Sequence, residues 1–325
     1  MSLSRRRLLN TALVGTALAH APWSRAQSGK PIRLLVGFPP GGGSDAIARL
    51  LAEKLKGPLG DNVIVDNRPG AGGQIAAQVL KSAPADGTTL FLTHDHTISI
   101  LPQVVKQPGF QPDSDFVPVG GFASFVNALA VSSGLPAPSF GGYVNWVKQQ
   151  GHGKSAVGIP APASTPEFLV QLIGKRFQLD LVAAPYRGSA PMIADMLGNQ
   201  IPAGIGSVQD FLEHHKAGKL RVVAVLGGKR QAALPDVPTL GELGLKGFED
   251  MPYYGIYAPK GTPAAFVERF SHALARVVAM PEVRAQLVAL GLTVEYMAPA
   301  ELHAREQAYT SVWKKIIQTS GFTPQ

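Results

Sequence analysis

The residues best placed to do chemistry lie near the start, in Phe38-Pro39-Pro40-Gly41-Gly42-Gly43-Ser44-Asp45, directly after the apolar run Ile32 to Val36. The prolines cannot continue a strand. The glycines let backbone approach a bound group. A helix beginning at Ser44 or Asp45 would add free N–H groups and a partial positive charge. Together these could hold an anion on backbone alone, although the same stretch also reads as an ordinary strand-to-helix turn. A second glycine-rich segment runs from Asp66 to Gly73. In it Asn67 could hydrogen-bond a carboxylate or cap a turn, and Arg68 is an anion partner by charge or a brace for the loop.

His94-Asp95-His96 would place two imidazoles on one face if a strand continued through them. No further metal ligands accompany them, so they read as a polar loop tip at a cleft. Ser164 and Glu167 have capping-box spacing, with Pro166 just inside a helix start. That is a well-capped helix, or a second helix N-terminus facing the first. Gly41-x-Gly43-x-x-Ala46, with Asp66 about twenty residues on, fits a dinucleotide fingerprint. It makes an exported NAD(P)-dependent oxidoreductase the enzymatic alternative, and the two prolines before the glycines count against it. There is no Gly-x-Ser-x-Gly elbow, no His-Glu-x-x-His and no P-loop lysine. The lack of cysteine excludes disulfides, thiolate metal sites and a cysteine nucleophile.

These loops need strands and helices to position them. Ile32–Val36, Val63–Val65 and Thr88–Thr93 read as strands, alternating with helices carrying Ile47, Leu50, Leu51 and Leu55, then Ile75, Val79 and Leu80. Gly57-Pro58 is the predicted stop of the first helix. The alternation predicts a parallel sheet with ligand loops beyond its C-terminal strand ends. Asn127–Val131, Ala156–Ile159, Leu181–Tyr186, Ala203–Ser207 and Leu220–Leu226 read as strands of a second unit, and Pro252–Ala258 as a return to the first. The helix Ala190–Leu197 should stop at a left-handed Gly198. Tyr309, Trp313 and Ile316 fall at helical spacing and read as core.

Ser4-Arg5-Arg6-Arg7-Leu8-Leu9, a short apolar stretch and Ser24-x-Ala26 make residues 1–26 a twin-arginine-like export signal, cleaved near Ala26. Loss of Arg5, Arg6, Arg7 and Arg25 takes the formal charge from +8 to about +4, which suits small anions and is no nucleic-acid footprint. No later segment is long and apolar enough to cross a membrane.

Four collinear segments, Phe38–Asp45, Asp66–Gly73, Pro185–Pro191 and Leu234–Thr239, resemble those of the substrate-binding receptors of tripartite tricarboxylate transporters, the Bug family. The resemblance extends from about Lys30 to the C-terminus. It implies a two-lobed, type II periplasmic binding protein of the Venus flytrap kind, α/β in class, each lobe a small mixed, mostly parallel sheet flanked by helices. Residues 27–127 and 253–325 would form lobe I and residues 128–252 lobe II. A small organic anion, a carboxylate, would be held by Phe38, Pro40, Gly41, Gly42, Ser44, Asp45, Asn67, Gly70, Gly72, Gly73, Thr93 and His94. Ser164, Thr165, Tyr186, Arg187, Gly188 and Ser207 would close from the second lobe. No catalytic residue, metal or cofactor is implied. The expected partners are membrane transporter subunits or a sensor, with the protein itself a periplasmic monomer. The family often carries acids near Pro202 and Gly206; both are missing, so direct recognition of an amino group is not expected there. Its usual Gly and Ser are replaced at Pro160 to Ala163, and its usual smaller residues at His94 to His96.

Overall fold

Alternation of side chains explains why the opening strand is buried on both faces at every position except Arg33. β1 (Ile32–Val36) sends Ile32, Leu34 and Val36 into one apolar cluster and Leu35 into another on the opposite face. The computed structural model describes residues 30–245, 252–320 and 322–324. The expected export signal and cleavage point lie outside the described residues. From Pro31 onward the chain forms one unit.

α1 (Gly43–Leu59) follows β1, then β2 (Val63–Asn67), α2 (Gln74–Lys81) and β3 (Thr89–His94). β1 pairs in parallel with β2 and with β3. α1 runs through its predicted stop at Pro58 and ends at Gly60, whose φ of 70° lets its N–H reach the Lys56 carbonyl. So close to the helix end, Pro58 removes a single ladder bond. α2 turns Ala76, Ala77 and Leu80 inward and leaves Ile75 exposed, against the predicted apolar face.

The remaining strands make the first sheet mixed. β4 (Phe116–Ser124) leads into β5 (Asn127–Ser132), α3 (Phe140–Gln149), β6 (Lys154–Ile159), α4 (Thr165–Phe177) and β7 (Asp180–Pro185). Next come α5 (Ser189–Leu197), β8 (Ala203–Ser207), α6 (Val208–Lys216) and β9 (Leu220–Val225). β10 (Tyr253–Pro259), α7 (Ala264–Ala279), α8 (Pro281–Ala289), β11 (Thr293–Met297) and α9 (Pro299–Ser320) finish the chain. The first sheet has the order β11-β4-β10-β3-β1-β2, and the second β7-β6-β8-β5-β9. β10 is antiparallel to both of its neighbours, so the first sheet is mixed, as the resemblance implies, and the parallel sheet read from the strand–helix alternation is its β2-β1-β3 part. In the second sheet β5 sends Leu129 and Val131 to one core, Ala128 and Ala130 to the other. Gly198 ends α5 at φ −78°, not in the left-handed region.

The connections between sheets are what position a site. Only Phe125 and Val126 separate β4 from β5, and the return lies between β9 and β10. Ser124 sits opposite Tyr253, and the Phe125 N–H bonds the Pro252 carbonyl. The two crossings therefore run side by side, a geometry that permits hinge motion. No helix among the described residues is long and apolar enough to cross a membrane.

Candidate ligand-binding site

Between the sheets lies a cavity walled on the first-sheet side by Phe38, Gly42–Ser44, His94–His96 and Tyr254. The second-sheet side contributes Asn127, Ser164, Thr165, Ser189, Ser207 and Asp210, with Phe125 at the crossing. Of the residues expected to hold ligand, Phe38, Gly42, Ser44, His94, Ser164, Thr165 and Ser207 meet here.

The opening loop uses much of its own donor capacity. The Gly41 N–H donates to Asp45 Oδ2 at 3.0 Å. Arg49 and the Asn67 amide also bond the Asp45 carboxyl, and Asn67 further donates to the Phe38 carbonyl. Burial pushes the Asp45 carboxyl up, but the bonds from Arg49, Gly41 and Asn67 outweigh it and hold the group below its ordinary value. Asp45, Asn67 and Gly41 thus brace the loop and line no part of the cavity. Pro40 is exposed beside them. Among the described residues, the N–H groups of Gly42 and Ser44 find no protein acceptor.

The second glycine segment acts from behind. Gly72 has φ +63°, and a Cβ there would come within 2.5 Å of His96 Nε2. At Gly73, φ +94°, a Cβ would meet Thr97 Oγ1 at the same distance. Both positions need glycine for conformation and for space. Gly73 spends its N–H on the Gly70 carbonyl, and none of Gly70, Gly72 or Gly73 reaches the cavity wall. Asp66, the acid of the dinucleotide pattern, is engaged by Arg33 at 2.7 Å and by Arg68 at 3.0 Å.

The two histidines do not share a strand face. β3 ends at His94, and the chain turns helical over His96–Ile100. His94 is boxed by rings: Phe38 stacks on it with centroids 5.0 Å apart, while Phe125 and Tyr254 present edges at 5.7 and 5.5 Å. His96 is buried, and its Nδ1 has no protein partner among the described residues. Burial, followed by the neighbouring His94, lowers His96 to about 3, so its ring is neutral. Thr93 is buried beneath the cavity floor and does not line it.

From the second sheet, the anticipated capping box at Ser164 takes another form. Ser164 Oγ donates to the Ala161 carbonyl at 2.6 Å, and Glu167 accepts from the Ala163 N–H at 2.5 Å. Tyr186 turns from the cavity to donate to Asp195 at 2.8 Å, and burial with that bond raises its hydroxyl to about 12. Arg187 is exposed. Gly188, at φ +107°, bonds the Pro160 carbonyl and lies against Pro39, where a Cβ would come within 2.6 Å.

The sequence reading missed Asp210, Ser189, Asn127, Phe125 and Tyr254. Asp210 Oδ1 accepts from Gly43 N–H at 3.1 Å and from Ser189 Oγ at 2.8 Å, and Oδ2 accepts from Ser207 N–H at 3.2 Å. Ser207 and Asp210 form a capping box on α6. The readable signal was that Ser-x-x-Asp spacing; its partner Gly43, far off in the chain, was not readable. Burial raises the Asp210 carboxyl, against the pull of Ser189, Gly43 and Ser207. A second link crosses the cleft: Gln209 Nε2 donates to Tyr254 Oη at 2.7 Å, which in turn is 3.2 Å from Ser44 Oγ.

The two sheets, paired crossings and intervening cavity define a two-lobed solute-binding protein. Residues 47–322 match the model of the tripartite tricarboxylate transporter family receptor, TctC, and the chain belongs to that family. It is 34% identical to a UPF0065 protein from the tcbD-tcbE intergenic region of a Pseudomonas species, over 97% of this chain and 94% of that one. It is 29% identical to Protein BugT of Bordetella pertussis, over 99% of each. Among solved structures, a Rhodopseudomonas palustris protein with adipate superposes at a TM-score of 0.86 and 28% identity, covering 92% of this chain and 100% of that one. MatC of the same organism, with bound malate, gives 0.81 and 26%, covering 88% and 98%.

Proposed function

We propose that this receptor captures a small carboxylate between its lobes in the periplasm and presents it, closed, to membrane subunits of a tripartite transporter or to a sensor. The observation that carries the reading is a cavity between two sheets into which Gly42 and Ser44 bring unused N–H groups at the start of α1. Adipate and malate in proteins of the same fold support a carboxylate as the ligand. Lobe I would be residues 27–127 and 253–325, lobe II residues 128–252, with residues 1–26 removed on export and the receptor working as a monomer. Binding closes the cleft by hinge motion at the paired crossings. Phe38, Gly42, Ser44 and His94 hold the ligand from lobe I, and Ser164, Thr165 and Ser207 from lobe II.

Gly42 has φ −86° and ψ 170°, a conformation open to any residue, and a Cβ on it would lie 3.3 Å from Ser189 Oγ. Gly42→Trp should therefore fold normally, keep the lobes apart and abolish binding. Native mass spectrometry of the protein purified without denaturation, then calorimetry with any acid released from it, tests this. Unchanged affinity in the variant, or a retained nicotinamide dinucleotide in the wild type, would remove the reading.

A further inference from the structure

We propose that Asp210 is the specificity-determining residue of the cavity, and that the ligand is a monocarboxylate whose other end carries an amide or ammonium N–H, not a second carboxylate. This rests on the carboxylate reading above and goes one step further, to the ligand's far end.

The argument is a balance of charge and of hydrogen-bonding capacity. Among the described residues the cavity wall carries two carboxyl groups, Asp95 and Asp210, and two imidazoles, His94 and His96, but no lysine or arginine. The buried His96 ring is neutral. His94 Nδ1 lies 3.4 Å from Asp95 Oδ1. A dianion would thus enter a cleft whose wall carries no lysine or arginine and face the Asp210 carboxyl, whose three donors favour its ionised form against the pull of burial, an arrangement that like charges in a low-dielectric site oppose.

Asp210 is also held where it is. It caps α6 through Ser207 and reaches the Gly43 N–H of the other lobe. A carboxylate has about four acceptor positions, and three donors occupy Asp210. What remains toward the cavity is acceptor capacity and no donor. The buried Nδ1 of His96 on the same wall likewise lacks a protein partner. The backbone donors of Gly42 and Ser44 suit the acid end of a ligand, while Asp210 suits an N–H at the other.

The test is calorimetry at pH 7 with matched sets of three to six carbons: each linear dicarboxylate, its monoamide and the corresponding terminal amino acid. The wild type should bind a monoamide or an amino acid at least about tenfold more tightly than the matching dicarboxylate. Which of the two wins tells amide from ammonium. Asp210→Asn, checked by circular dichroism and thermal melting, should shift the preference toward the dicarboxylate by about tenfold or more, because an asparagine amide can donate to it. A dicarboxylate that matches or beats its partners in the wild type overturns the subsite and leaves the carboxylate reading intact. Binding of none of the compounds removes both. The wild-type preference decides the matter even if the variant fails to fold.

Discussion

Two regions of this molecule hold a carboxyl away from bulk water, and they treat it in opposite ways. In the interlobe cavity Asp210 accepts three hydrogen bonds, two from backbone and one from Ser189. Beside β4 and α9, Glu306 is 4% exposed, its Oε2 has no partner among the described residues, and it lies within 4.8 Å of Asp113 and His303. Burial, then the charge of Asp113, raises Glu306 to about 8. The first region supplies donors to a carboxyl that crosses between lobes. The second leaves Glu306 Oε2 without a donor among the described residues, so its acid keeps its proton at neutral pH. Burial alone does not make a binding site; the donors arranged around the buried group decide its use.

The largest effect should come from disturbing the cavity wall. Gly72→Val combines a left-handed backbone position with a clash against His96; denaturant melts should show a loss of about 3 kcal/mol, and calorimetry a collapse of binding. Retained binding would show that the wall tolerates movement. The Glu306 region should respond to pH instead. Its folded value lies above the ordinary 4.5, so the native state holds a proton that the unfolded chain releases. Stability from this group therefore falls as pH rises from about 4.5 to about 8, by roughly 1.4 kcal/mol per unit. Glu306→Gln should raise Tm at pH 8 and leave it nearly unchanged at pH 4.5; equal gains at both would erase the contrast.

A smaller change is expected at Tyr254, whose hydroxyl joins Ser44 to Gln209 across the cleft. Tyr254→Phe should cost about 1 kcal/mol, read as a fewfold weaker ligand affinity with little loss of secondary structure. The smallest effect is none: the His96 ring signals in an NMR titration should stay flat between pH 5 and 8, because that ring is already neutral. A titration midpoint near 6.5 would make the cavity wetter than its geometry.

Much of the first lobe was legible because period-two burial and glycine punctuation are local properties. β1, β2 and β3 fell where the apolar runs placed them, and so did the loop after β1. What the sequence hid was pairing at long range. β4 and β11 went unrecognised, and β10 could be read as a return strand but not as the antiparallel neighbour of β3. At the site the clustered glycines drew attention to the backbone. Asp210 escaped because an Asp three residues after a Ser is an ordinary helix cap; only folding brings it to Gly43. Arg187, expected at the site through the resemblance of its loop, is exposed and does not line the cavity.

The place of β10 in the first sheet has a consequence in time. It lies between β3 and β4, yet about 160 residues separate the end of β3 from its start. At translation rates of about 5–20 residues per second, that is roughly 8–30 s. A nascent chain cut before Tyr253 should show unprotected amides in hydrogen exchange on the side of β3 that faces β10, while those paired with β1 stay protected, and full protection on both sides would contradict the delay. During that interval the edge of β3 that β10 will cover is unpaired, a template on which another strand could add.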